Sequence, residues 1–136
     1  MTGERDLDTL LRAMSPELQD GVFVFCTLDP GDRMAAMLSP LMRFREREGD
    51  TLILRRDDAE RAGLAYRFAS RLITLSVHSA LDAVGFLAAV TTALAAAGIS
   101  VNAVSAFHHD HLFVPDAQAG QAMRVLQEMS RSAAGP

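Results

Sequence analysis

Two stretches gather the residue types that could do chemistry. The first is Asp82-Ala83-Val84-Gly85, and the second is His108-His109-Asp110-His111. Leaving the histidines aside, Asp82 is the only ionised side chain between Leu72 and His109. It stands where a strand pattern turns into a helix pattern, and a helix start can offer backbone N–H groups to a small anionic ligand. Its carboxylate could cap that helix, or hold an α-ammonium while the N–H groups hold a carboxylate. Gly85 reads as a first-turn helix residue, where glycine costs about 1 kcal/mol against alanine. Close approach of a ligand or of another backbone would compensate. The histidine run suggests a zinc site, since imidazole is a good ligand and His109 and His111 share a strand face. Only His78 and a lone Cys26 stand elsewhere, and consecutive positions of a hairpin tip do not converge on one ion. A polar hairpin turn is therefore expected, with no metal and no cofactor. His78, just before the Asp82 turn, could join a pocket there. Cys26, between Phe25 and Thr27, lacks a base and reads as a core residue. Arg43, Arg45 and Arg47 read as a solvated strand face. No Ser-His-Asp set, phosphate loop or pair of carboxylates stands out, so no catalysis is expected.

The elements that position these residues follow from periodicity. Leu7, Leu10, Leu11 and Met14 form one stripe of a helix over 6–14, capped by Asp6 and ended or restarted at Ser15-Pro16. Residues 22–28 are a strand apolar on both faces, which belongs inside a sheet or at a contact between domains. Residues 41–48 and 51–55 pair as a hairpin turning at Gly49-Asp50. A short helix follows with Asp57 as cap, ending at Gly63. Residues 65–78 are extended. A helix over 82–97 places Leu87, Val90 and Leu94 inward, and its remaining surface is Ala and Thr without charge. Such a surface is usually covered by another element or subunit, which motivates a homodimer. Residues 99–107 and 110–114 form a second hairpin. A last helix over 116–129 turns Met123, Leu126 and Met129 inward, and 131–136 form a flexible tail.

Composition bounds the classes of function. The chain has 136 residues, of which 49% are hydrophobic, so it can bury a core. Its net charge is −4 and its 13 basic residues are all arginine. That balance argues against nonspecific nucleic-acid binding. No secretory signal pattern and no uninterrupted membrane-spanning stretch are read, so neither a membrane partner nor export is expected. One cysteine excludes an internal disulfide and fits the cytoplasm.

The second half resembles an ACT domain, a small βαββαβ regulatory module. The Asp-x-x-Gly turn followed by Leu-Ala-x-Val is Asp82 to Val90 here, and Gly98-Ile99-Ser100-Val101 stands where that family often has Gly-Ile-Asn-Ile. The whole chain is similar to short bacterial proteins carrying two ACT-like modules. The resemblance implies an α+β fold of two ferredoxin-like modules, helices on one face of each antiparallel sheet, with one strand exchanged between modules. The modules are expected at 1–64 and 65–130. It also implies an amino-acid ligand held by Asp82, Val84, Gly85, Phe86, Ile99 and Ser100, with Asn102 on the same strand face as Ser100. Val84 replaces a frequent proline and Ser100 a frequent asparagine. The second half shows only two strands after its helix, so Val22–Leu28 is expected to donate the missing strand. The expected function is thus a non-enzymatic amino-acid sensor. The alternatives are a protein-interaction module without ligand, and a metal enzyme built on His108–His111.

Overall fold

The computed structural model describes residues 3–134. It divides into two compact units, one of residues 21–70 and one of residues 3–20 with 71–134. Residues 3–20 thus pack with residues 71–134.

In the unit 21–70, β2 (Phe23–Leu28), α2 (Met34–Met37), β3 (Met42–Arg45), β4 (Asp50–Arg55), α3 (Arg56–Arg61) and the first residues of β5 (Arg67–Leu75) follow one another as βαββαβ. The sheet order is β5-β2-β4-β3. β2 is therefore a central strand, which is why both its faces are apolar. Val24, Cys26, Leu28, Leu52 and Leu54 form the core with Ala35 of α2 and Ala59 of α3. Cys26 is buried there as a small apolar residue. Three local details differ from expectation. The hairpin turns at 46–49, where Glu46 and Gly49 exchange backbone hydrogen bonds, so Asp50 is a strand residue. Asp57 lies inside the first turn of α3, and Arg55 holds the cap position without a side-chain bond. The four-residue α2 is too short to carry a periodic signal and is not foreseen.

The other unit reaches the same sheet order by a different chain route. Its elements are α1 (Leu7–Ala13), β1 (Pro16–Leu18), the rest of β5, α4 (Phe86–Ala96), β6 (Asn102–Ser105), β7 (Asp110–Pro115), a 3-10 turn (Asp116–Gln118) and α5 (Ala119–Ala134). The order is β1-β5-β7-β6, with β1 antiparallel to β5 through Pro16↔Leu75, Glu17↔Thr74 and Leu18↔Ile73. The fourth strand is thus β1 from the N-terminal segment, in place of the expected Val22–Leu28. Three residues opening with proline give no alternation to read, but proline suits the first position of an edge strand. Ser15, at φ 41, turns the chain from α1 into β1.

Leu10 and Met14 of α1, Phe86, Val90 and Leu94 of α4, and Ala122 and Leu126 of α5 close over Ile73, Leu75, Leu112 and Val114. Leu87 is only half-buried, because α4 starts at Phe86 and that ring takes the inward position. Met123 and Met129 pack at the edge of this core. Residues 131–134, expected as tail, complete α5; 135–136 lie outside the described residues.

Candidate functional site

The turn after β5 is held from the N-terminal side. Glu4 N–H donates to the His78 carbonyl and Ala80 N–H donates to the Glu4 carbonyl, a short parallel bridge. Gly3 lies so close that a Cβ would stand 2.6 Å from the Ala80 nitrogen. Arg5 donates to both Asp82 carboxylate oxygens at 2.9 and 3.0 Å. That hydrogen bonding and charge hold the Asp82 carboxyl below the usual carboxylate range. Asp82 is therefore a surface ion-pair residue, and it does not cap α4. The cap position belongs to Gly85, at φ 92, with no side chain accepting from the first turn. This corrects the expected helix start and the expected role of Gly85. The glycine is explained by a left-handed backbone, without invoking a first-turn penalty.

Between this turn and the β6–β7 hairpin tip lies a cleft of about 170 Å³. Leu81, Ala83, Phe86 and Leu87 line its turn side, and Ser105, Ala106, His109 and Asp110 line its hairpin side. Asp110 is 8% exposed and accepts a 2.6 Å hydrogen bond from the Ser105 hydroxyl. It shares the helix-covered face with Leu112 and Val114 by strand alternation. His109 Nδ1 is buried without a hydrogen-bond partner. On the opposite sheet face His111 Nδ1 lies 3.0 Å from Thr74 Oγ1. Burial, then the neighbouring His109, push the His111 imidazole below its ordinary value. His78 packs 5.6 Å, centroid to centroid, from His108 and 6.4 Å from Phe107. Among the described residues no group of three His, Cys, Asp or Glu side chains could hold a metal ion.

The seven residues expected to bind ligand are distributed over two ends of α4. Phe86 lines the cleft; Asp82 and Gly85 lie on its flanking turn, and Val84 there points outward at 85% exposure. Ile99 is buried in the core, while Ser100 and Asn102 are exposed. The 11 residues of α4 span about 16 Å at 1.5 Å per residue, so the two sets do not meet within this unit. Ile99 and Ser100 instead border an open groove with Thr91 and Thr92. Ser105 and Asp110 were not singled out as ligand residues. Their signal is a charged residue on the inward parity of Asp110-His111-Leu112-Phe113-Val114.

This arrangement, two helices over a four-stranded sheet in the order 4-1-3-2, defines the ferredoxin-like class of α+β modules. Family models for the ACT domain match residues 2–71 and 67–128. The chain belongs to the ACT domain family, with two such domains and no catalytic module among the matched segments. Among solved structures, a Vibrio cholerae protein of unknown function, described as a possible transport protein, is 45% identical. The match covers 91% of this chain and 95% of that one at a TM-score of 0.83. The regulatory subunit of aspartate kinase from Thermus flavus is 13% identical with a TM-score of 0.66, covering 84% and 95%. An Agrobacterium tumefaciens protein is 16% identical with a TM-score of 0.69, covering 85% and 87%. The last two show a shared fold. No curated protein matches the chain. Among the described residues no helix is long and apolar enough to cross a membrane.

Proposed function

We propose that this protein is a non-catalytic regulatory protein that binds an amino acid. The observation that carries this reading is the cleft between the 79–87 turn and the hairpin tip. Its walls are apolar on one side and polar on the other, and it lies at the start of a helix whose first turn no side chain caps. A ligand there would tie the strapped turn to the hairpin and favour one arrangement of the two. Family membership supports a regulatory role. The uncharged surface of α4, including the exposed Ala88, Thr92, Ala95 and Ala96, favours a homodimer, and a single cysteine suits the cytoplasm.

A thermal-shift screen against the common amino acids tests the ligand. At a hundred times its Kd a ligand adds about 2.7 kcal/mol of apparent stability. No shift with any of them removes the sensor reading. The second reading, a protein-docking module, rests on Leu81, Val84 and Phe107, which are 68%, 85% and 64% exposed near the cleft. Sedimentation equilibrium showing monomer alone at high concentration removes the dimer.

A further inference from the structure

The two hairpins repeat each other residue for residue. β3 pairs β4 as Met42↔Ile53, Arg43↔Leu52 and Arg45↔Asp50. β6 pairs β7 as Asn102↔Phe113, Ala103↔Leu112 and Ser105↔Asp110, the same register with numbers offset by 60. Each second strand therefore opens on an aspartate directed to the helix-covered face, Asp50 at 3% exposure and Asp110 at 8%. Their partners differ. Arg43 places two guanidinium nitrogens on one Asp50 oxygen, at 2.6 and 2.9 Å. The matching position beside Asp110 is Ala103, and among the described residues the one side chain hydrogen-bonded to Asp110 is Ser105. No arginine forms an ion pair with Asp110 among the described residues.

A buried carboxylate is costly without a paired cation, and one hydroxyl bond does not neutralise it. The nearby base, His111, lies on the opposite sheet face and is held toward its neutral form chiefly by burial, against the opposing pull of the Asp110 charge. The start of α4 contributes partial positive charge only. Asp110 nevertheless lines a cleft of amino-acid size. We infer that Asp110, aided by Ser105, is a subsite for a cationic amine of the ligand, occupying the place that Arg43 fills beside Asp50. This deepens the reading of the cleft as a small-molecule site and rests on it. It restricts the ligand to one with a free ammonium group, seated with its apolar part toward Leu81 and Leu87.

Calorimetric titration of the full chain with the common L-amino acids, each beside its N-acetyl derivative, tests the inference. Any amino acid that binds is expected to lose at least tenfold in affinity on acetylation, and at least tenfold in Asp110→Asn. Ala103→Arg is the decisive variant, because it supplies the missing guanidinium. It should keep the fold, judged by circular dichroism and melting, and abolish amino-acid binding; it also carries the test where Asp110→Asn does not fold. Arg43→Ala should leave the Kd unchanged. Acetylated compounds binding as tightly as free ones, or Ala103→Arg binding within threefold of wild type, overturn the subsite and leave the sensor reading standing. Failure of every amino acid to bind the wild-type protein overturns both.

Discussion

The unit 21–70 and the unit of 3–20 with 71–134 use one plan with opposite investments. Both have the 4-1-3-2 sheet and hairpins in matching register. The first connects β2 to β3 through a helix of four residues, and the second connects β5 to β6 through one of eleven. The long helix carries Phe86, Val90 and Leu94 into a core that also recruits α1 and α5. The short helix buries Ala35 in its core and packs Met34 at the edge. The buried aspartate at the head of the second hairpin strand, β4 or β7, is closed by Arg43 in one unit and faces a cleft in the other. A shared topology therefore leaves function to a few positions on the hairpin and to the length of one connection.

The largest effect expected from breaking this comparison is in the core under α4. Phe86→Ala should cost about 3–5 kcal/mol in urea unfolding, since a fully buried ring is removed. Ala35→Gly in α2 should cost about 1 kcal/mol. Equal losses would mean that helix length does not set the stability of the two units. Next comes the aspartate pair. Arg43→Ala strands Asp50 and should cost about 2 kcal/mol, below the range for a fully buried pair because the Arg43 side chain is 44% exposed. Asp110→Asn, which disturbs one hydroxyl bond, should cost under about 1 kcal/mol. The reverse order would show that Asp110 is the more structural of the two.

A smaller effect probes the turn before α4. Gly85→Ala should destabilise by about 1–2 kcal/mol from its left-handed backbone alone. A new Cβ there meets nothing nearer than Leu7 Cδ2 at 3.9 Å, an ordinary contact. No change in melting would mean that this turn is loosely held. The smallest effect is on pH. The folded state depresses the His111 value, so its contribution is complete above the ordinary 6.5 and is lost as the pH falls through the depressed value. His111→Gln should flatten the stability profile between 6.5 and that depressed value. The matching residue in the other hairpin is Thr51, so that unit has no counterpart.

Much of the fold was legible in the sequence. The 3.6-residue stripe of Leu7, Leu10 and Met14 and the Gly98 stop of α4 are local patterns, and they hold in the structure. The family resemblance was legible too, since Asp82 to Val90 and Gly98 to Val101 are contiguous motifs. The candidate site was less so. Asp82 was chosen for its charge and its place at a turn, but the partner that holds it, Arg5, is 77 residues away in the chain.

The sequence by itself determined the longer elements, the two-module α+β class and the presence of a special glycine at position 85. Each rests on spacing within a dozen residues. Tertiary structure decided which strand completes the second sheet, because β1 is too short to have a pattern and is fixed by pairing with β5. It also decided which charge matters. Asp110 looked like one member of a polar turn, and only strand register against Ser105 and Ala103, compared with Arg43 beside Asp50, reveals a buried carboxylate lacking its cation. Burial and pairing are relations between distant segments, and no local pattern encodes them.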